Sequence, residues 1–199
     1  MRTAQEVSQR IIGEMVHKVL GWWQFQENPD GFNERLDSYA WELGVVDEGQ
    51  RKYAIQEAHK LINKMRNNPV FGWLQEAKQI YREIPFVYRS DKRIIHGILD
   101  VLLQRHDSSW VILDYKTSHI KGYKAGGDEQ LLSNHAQRYH LQIGVYGAAV
   151  QEQLGGVVPE TYIYYIRYGQ YVRVEKTEWA EALSRLEATI GDLLTEQAD

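Results

Sequence analysis

The sequence predicts an α/β fold with a mixed central β-sheet flanked by helices and with a helical region on its N-terminal side. Apolar side chains recur at helical spacing over roughly the first 75 residues. Segments rich in Ile, Val, Leu and Tyr, separated by turn residues, begin near residue 79. From there the predicted order is three strands, a helix, two strands and a helix, unlike the regular alternation of a doubly wound parallel sheet. We expect a single domain over 1–199, with a helical part over 1–77 and an α/β core over 78–199.

The helical part is predicted to begin with an amphipathic helix over 4–24. Trp22 continues the apolar stripe of this helix, so we expect its side chain to pack in the core. The sequence Asn28-Pro29-Asp30-Gly31 predicts a turn. Three further helices are expected. The first covers 34–43, the second runs from the N-cap residue Asp47 to Arg66, and the third covers 71–77.

The α/β core is predicted to contain five strands and two helices. Three consecutive strands are expected over 79–89, 93–105 and 109–116. A polar loop then leads to one long helix, which ends at Gly155-Gly156. That helix is expected over 130–154. Two strands, over 161–168 and 171–175, and a final helix, over 178–195, are expected to follow it.

The composition excludes several classes of site and of partner. The chain has no cysteine, which excludes a disulfide framework, a thiolate zinc site and a cysteine-ligated iron–sulfur cluster. The sequence shows no run of about 18 apolar residues and no signal-peptide pattern, so we expect a cytoplasmic protein that does not span a membrane. The net charge of −4 argues against a protein that coats duplex DNA, but it suits an enzyme with one local basic groove.

Two aspartates and a lysine lie where the second and third predicted strands are expected to pair. Asp100 ends an apolar run on one strand, and Asp114 and Lys116 project from the same face of the next strand, about 7 Å apart. Clustered carboxylates suit a hard divalent cation, and a lysine beside the cation can stabilise charge that builds on a phosphoryl oxygen. The alternative is that both aspartates are ordinary strand-end acids with Lys116 as their salt-bridge partner.

The strand register tests this arrangement. Asp100 stands opposite Asp114 only if the numbers of paired residues add up to 214, whereas a tight turn at Asp107-Ser108 gives 215 and places the two acids on opposite faces. We therefore predict a loop with an odd number of residues, or a β-bulge, between Gln104 and Trp110.

Several short motifs follow one another along the predicted elements. In chain order they are Gly13-Glu14-Met15-Val16-His17, Glu83-Ile84-Pro85-Phe86, Gly97-Ile98-Leu99-Asp100, Asp114-Tyr115-Lys116 and Gln142-Ile143-Gly144-Val145-Tyr146. Together they resemble the PD-(D/E)xK nuclease superfamily and, within it, the RecB-type branch found in the AddA and RecB helicase–nucleases. The resemblance implies a restriction-endonuclease-like core. Branch members with an iron–sulfur cluster need four cysteines, so this chain resembles the cluster-free type.

The resemblance implies a role for each motif. The residues implied to bind Mg²⁺ or Mn²⁺ are His17, Asp100, Asp114 and, through its backbone carbonyl, Tyr115. Lys116 would be the catalytic lysine, and Gln142 and Tyr146 would support the active site and contact DNA. On a helical wheel His17 lies away from the apolar centre of its helix, which argues against a core histidine but also suits an ordinary solvent-facing one.

Three basic residues are further candidates for contacts with DNA. Arg138 lies on the same stripe of the predicted long helix as Gln142 and Tyr146. Lys121 and Lys124 follow the strand of Asp114 and could hold phosphates, although a solvated loop explains them equally well. We expect Glu83 to have a structural role on its strand.

The residues and the resemblance together lead to a functional hypothesis. The implied activity is that of a metal-dependent deoxyribonuclease, an exonuclease on single-stranded or end-containing DNA, in repair and recombination. The implied partners are DNA and a helicase domain or subunit, since the sequence contains no helicase motifs. The alternative is a catalytically inert DNA-end-binding module of a helicase–nuclease complex. The intact set of Asp100, Asp114 and Lys116 argues against this alternative.

Overall fold

The computed structural model describes residues 9–22, 29–90, 93–124 and 126–195. The predicted helical residues 4–8 and 23–24 and the turn residue Asn28 lie outside these ranges. The helices are α1 (Gln9–Trp22), α2 (Pro29–Glu42), α3 (Glu48–Arg66), α4 (Pro69–Gln75), α5 (Glu129–Ala136), α6 (His140–Gln153) and α7 (Lys176–Thr195), with a 3₁₀ segment at Gln137–Tyr139. The strands are β1 (Gln79–Ser90), β2 (Arg93–Gln104), β3 (Trp110–Lys116), β4 (Glu160–Tyr165) and β5 (Gln170–Val174).

The second helix begins earlier than predicted. Since α2 starts at Pro29, the predicted turn is wrong from Pro29 to Gly31. Proline fits the first position of a helix because its missing N–H has no intrahelical partner there, and its ring fixes a helical φ. A Pro-Asp-Gly sequence therefore predicts a helix start as readily as a turn.

The third helix has the predicted N-cap. Asp47 has extended backbone angles, and its side chain accepts a hydrogen bond of 2.8 Å from the Gln50 backbone N–H. The helix ends at Arg66, as predicted. Asn68 then caps α4, because its side chain accepts a hydrogen bond of 3.0 Å from the backbone N–H of Val70.

Trp22 does not pack in the core. Its side chain is 70% exposed, which makes the prediction of a core residue wrong. At 100° per residue Trp22 lies about 90° around α1 from the centre of the buried stripe, and it is the last residue of the helix. The stripe itself is buried, and its members are Ile12, Met15, Val16, Val19 and Leu20.

The sheet has the strand order β1-β2-β3-β4-β5, and the predicted fold class is confirmed. β1 pairs with β2 and β2 pairs with β3, both antiparallel. The β2–β3 pairs run from Gln104–Trp110 to Val101–Leu113, and the two numbers of every pair add up to 214. Residues 105–109 form the connecting loop, which has an odd number of residues. Both the register and the loop length are as predicted.

The long helix predicted over 130–154 is interrupted. α5 ends at Ala136, the 3₁₀ segment follows, and α6 begins at His140. Asp128 caps the N-terminus of α5, because its side chain accepts hydrogen bonds from the backbone N–H groups of Gln130 and Leu131. Apolar spacing continues through the interruption, which is why the sequence pattern does not reveal it.

Two glycines let α6 approach α7 closely. A Cβ on Gly144 would lie 2.7 Å from the backbone oxygen of Trp179, and a Cβ on Gly147 would lie 3.0 Å from the Trp179 ring. The indole ring of Trp179 is buried. Gly144 and Gly147 therefore form a groove on α6 that Trp179 fills.

The chain divides into two compact units. The first comprises the described residues up to Gln75 with Tyr115–Lys121 and Tyr165–Gln170, and its core includes Ile12, Met15, Val16, Leu36, Ala58 and Ile62. The second comprises Glu76–Asp114, Gly122–Tyr164 and the residues from Tyr171, and its core includes Leu99, Val101, Ile112, Ile143, Ile163 and Tyr164. The single-domain organisation stays a prediction. Among the described helices, none has both the length and the apolar content needed to cross a bilayer.

Candidate active site

The β2–β3 hairpin brings Asp100 and Asp114 together. Continued by one pair beyond Val101–Leu113, the register sets the two aspartates opposite each other on neighbouring strands. Asp114 is only 1% exposed, in a strand that is buried from Val111 to Tyr115. Burying a carboxylate is unfavourable unless it has partners, so this position is characteristic of a functional acid.

Gln142 connects Asp114 to Tyr146. Its Nε2 donates one hydrogen bond of 3.2 Å to Oδ1 of Asp114 and one of 2.6 Å to the Tyr146 hydroxyl oxygen. The Tyr146 hydroxyl in turn donates to the backbone oxygen of Ile98 at 3.0 Å. The amide of Gln142 is thus held between a carboxylate and a phenol, and the phenol is fixed to β2. Of the predicted pair on one helix face, Gln142 thus contacts Asp114 directly, and Tyr146 is linked to that acid through Gln142.

The Tyr146 hydroxyl remains protonated at physiological pH. Burial raises the pKa of Tyr146 well above its usual value, and the negative charges of Asp114, Asp100 and Glu83 raise the pKa further. The hydrogen bond from Gln142 acts in the opposite direction but is the smaller effect. The hydroxyl is therefore a permanent donor to the Ile98 carbonyl. All three carboxylates are therefore near enough to Tyr146 to affect its pKa.

Glu83 belongs to this acidic cluster, although the sequence argument assigned it a structural role. The β1–β2 register places Glu83 opposite Asp100, and one carboxylate oxygen of each lies within 4.8 Å of the other. Glu83 also has a φ of 49°, which is unusual for a residue other than glycine and is a frequent sign of a functional position. The β1–β2 pairs add up to 183, whereas the predicted strand ends at 89 and 93 add up to 182 and would set Glu83 opposite Leu99, so an error of one residue was enough to miss it.

The first unit contains His17 and the segment that follows Asp114 along the chain. His17 is half-buried on α1, and its ring makes an edge contact with the ring of Tyr115, with centroids 6.2 Å apart. One turn earlier on α1, a Cβ on Gly13 would lie 2.6 Å from Oγ1 of Thr117. The glycine therefore lets α1 lie against the end of β3, and this contact positions His17.

Gly13→Ala should destabilise the protein by about 1–3 kcal/mol, although alanine favours helices, because its Cβ would overlap Thr117. Chemical denaturation measures this change. The double variant Gly13→Ala/Thr117→Ala should recover most of the loss, since the next nearest atom is the Thr117 Cβ at 3.8 Å. Gly72→Ala on α4 is the matched control, because no atom lies within 4 Å of its added Cβ. A double variant as unstable as the single one would contradict this explanation.

Lys116 is half-buried at the end of β3, two residues after Asp114. Its backbone oxygen accepts a hydrogen bond of 3.0 Å from the backbone N–H of Ile166. Tyr115, between the two, is buried. Since side chains alternate along a strand, Asp114 and Lys116 share one face of β3, as predicted.

The basic candidates for DNA contacts lie on the surface. Lys121, Lys124 and Arg138 are all exposed. Arg138 lies in the 3₁₀ segment rather than in α6, so the prediction that it shares one helical stripe with Gln142 and Tyr146 is wrong. The three residues remain predicted phosphate contacts.

The donor set of the second unit fits a hard divalent cation. Glu83 and Asp100 have carboxylate oxygens within 4.8 Å of each other, and the register sets Asp114 opposite Asp100 on the next strand. Carboxylate oxygens are the ligands that Mg²⁺ and Mn²⁺ prefer. Three negative charges close together repel one another in the absence of a cation. Carboxylates placed this close together are able to share a cation.

Curated relatives and a solved structure resemble the chain. One relative is a subunit of the "ATP-dependent helicase/nuclease" of Staphylococcus carnosus, which is 25% identical over 192 residues, 89% of this chain and 15% of the relative. The corresponding protein of Oceanobacillus iheyensis, which has the same name, is 30% identical over 128 residues, 63% of this chain and 10% of the relative. The chain thus spans a small part of these relatives.

The fold is also found in a crystal structure of a Eubacterium rectale protein that is provisionally named an exonuclease. It has a TM-score of 0.60 and 16% sequence identity, and the match covers 96% of this chain and 68% of that protein. The model of a family described as "PD-(D/E)XK nuclease superfamily" matches residues 1–198. This match confirms the resemblance seen in the motifs, and the chain belongs to the PD-(D/E)XK nuclease superfamily.

Proposed function

We propose that the chain is a divalent-cation-dependent deoxyribonuclease. It hydrolyses phosphodiester bonds as an exonuclease on single-stranded or end-containing DNA, in repair and recombination. The observation that carries this proposal is the buried Asp114, which stands opposite Asp100 and is held by Gln142. A surface acid is rarely buried and held by an amide, whereas both features are common for a carboxylate that is oriented for a function.

The proposed cation ligands are His17, Asp100, Asp114 and the backbone carbonyl of Tyr115, with Glu83 beside Asp100. This set combines one imidazole with oxygen donors, which suits Mn²⁺ as well as Mg²⁺. When bound, the cation would supply Lewis-acid stabilisation and an activated water.

The chain's own residues then have separate tasks. Lys116 places a positive charge beside Asp114, where it stabilises the charge that develops on a phosphoryl oxygen during in-line attack. Gln142 orients the Asp114 carboxylate through its hydrogen bond. Tyr146 fixes both Gln142 and the Ile98 carbonyl of β2, so the two acid-bearing strands are held through α6.

The substrate and partners follow from the relatives and from the surface charge. The relatives are named as parts of an "ATP-dependent helicase/nuclease", so we propose that this chain acts with a helicase domain or subunit. Lys121, Lys124 and Arg138 are the proposed phosphate contacts outside the acids. The proposed compartment is the cytoplasm, where bacterial DNA is located.

Cleavage should require a divalent cation, and Mn²⁺ should support it at least as well as Mg²⁺ because imidazole favours later transition metals. End-labelled single- and double-stranded DNA is incubated with the purified chain in EDTA, Mg²⁺ or Mn²⁺. Circular single-stranded DNA is the control, since an exonuclease leaves it intact. Clearly faster cleavage in Mg²⁺ would argue against His17 as a ligand. DNA binding without cleavage in any cation would favour the inert end-binding module.

A further inference from the structure

We propose that Phe86 is a positioning residue for the nuclease site, and that Gly97 is a glycine because the Phe86 ring occupies the place of its side chain. The two residues are paired across β1 and β2. A Cβ on Gly97 would lie 2.6 Å from two ring carbons of Phe86, far inside van der Waals contact. The ring therefore lies over β2, in the space that a side chain on Gly97 would fill. This inference rests on the proposed function.

The Phe86 ring also contacts Tyr146. The two ring centroids lie 5.2 Å apart with an interplanar angle of 77°, an edge-to-face geometry that stabilises aromatic pairs. The Tyr146 hydroxyl binds the carbonyl of Ile98, the residue directly after Gly97. Phe86 thus holds one side of the Tyr146 ring, and the Ile98 carbonyl holds its hydroxyl.

Because there is empty space beside Phe86, the position of its ring depends on its contacts with Gly97 and Tyr146. Phe86 borders an apolar cavity of about 400 Å³, with Leu99, Val150 and Leu154 also in its lining. A ring next to such a cavity has room to move, so close packing alone does not fix its position. The gap at Gly97 and the edge contact with Tyr146 fix the ring instead.

A connected series of contacts leads from Phe86 to the buried acid. Phe86 positions Tyr146, the Tyr146 hydroxyl accepts from Gln142, and Gln142 donates to Asp114. If Tyr146 tilts, Gln142 loses one of its two acceptors, and its second hydrogen bond no longer has a fixed geometry. Gly97 therefore influences the position of the Asp114 carboxylate indirectly, because it makes room for Phe86 of β1, which contacts Tyr146 of α6.

Phe86→Ala should lower kcat about tenfold and weaken Mn²⁺ binding, measured by calorimetry, by a similar factor. In a Tyr146→Phe background the same change should have little further effect, because the hydroxyl through which Phe86 acts is already absent. Gly97→Ala should reduce activity in the wild-type background but add little to Phe86→Ala, since the overlap disappears with the ring.

Leu154→Ala is the matched control, because Leu154 lines the same cavity at the far end of α6. It should reduce stability without changing kcat or Mn²⁺ affinity. A cation-free measurement completes the test: the side-chain amide resonances of Gln142, assigned with Gln142→Glu, should shift in Phe86→Ala and not in Leu154→Ala. Unchanged amide resonances in Phe86→Ala would overturn the inference. A wild-type chain that neither cuts DNA nor binds Mn²⁺, yet shows the amide shift, would refute the proposed function alone.

Discussion

Asp114→Asn is expected to abolish DNA cleavage while making the cation-free protein more stable. The loss of cleavage should be about 1,000-fold, because the amide has no charge with which to hold a cation. The gain in unfolding free energy should be about 1–2 kcal/mol, because the substitution removes a buried negative charge that faces Asp100. The side chain keeps its size, and its oxygen can still accept from Gln142.

Thermal or chemical unfolding in EDTA and in Mn²⁺ measures both effects. The wild-type protein should gain about 2.7 kcal/mol when the cation is at 100 times its dissociation constant, and Asp114→Asn should gain much less. Ser109→Ala, at the half-buried end of the loop between β2 and β3, serves as a control for substitutions in this hairpin. If Asp114→Asn is less stable than the wild type in EDTA, Asp114 is a structural acid and the proposed site is wrong.

Lys116→Ala is expected to stop cleavage while DNA binding persists. We expect a loss of about 100- to 1,000-fold in kcat, since one charge that stabilises the transition state is removed. Binding of single-stranded DNA, measured by fluorescence anisotropy in Ca²⁺ or EDTA, should change by less than about tenfold, because each phosphate contact contributes only part of the affinity.

Two comparisons make the Lys116→Ala result specific. Lys176→Ala, at the exposed start of α7, removes the same charge far along the chain and should leave kcat unchanged. Lys116→Arg keeps the positive charge but replaces the ammonium group by a planar guanidinium, and partial activity would indicate that charge is the main requirement. Equal kcat values for Lys116→Ala and the wild type would show that Lys116 is not the catalytic lysine. A wild type that binds DNA but cleaves it in no cation would leave the DNA-end-binding module as the better explanation of this fold.

The sequence was sufficient to predict how the two aspartates meet. Apolar alternation located β2 and β3, and the arithmetic of residue numbers then required an odd-length loop, which the structure contains at 105–109. The spacing of Gln142 and Tyr146 correctly placed both on one helical face. These features depend on local periodicity and on strands adjacent in sequence, which is where sequence patterns are most informative.

Other features were missed because they depend on a single residue of strand register or on where a helix ends or is interrupted. Glu83 joins the acids through the β1–β2 register, and the predicted strand ends were one residue away from the register that sets it opposite Asp100. The 3₁₀ segment that displaces Arg138 leaves the apolar spacing unchanged. Trp22 matched the stripe of α1, but its position at the edge of the stripe and the end of the helix left it exposed.

The packing of Trp179 between the glycines of α6 sets a lower limit on the size of a working fragment. Gln142 and Tyr146 belong to the helix that Gly144 and Gly147 seat against α7. A truncation before Trp179 would retain every proposed ligand and the lysine, yet it would uncover an apolar groove on the helix that orients Asp114. An engineer who transfers this domain to another protein should therefore place the boundary after Leu183, which also contacts the Gly144 position.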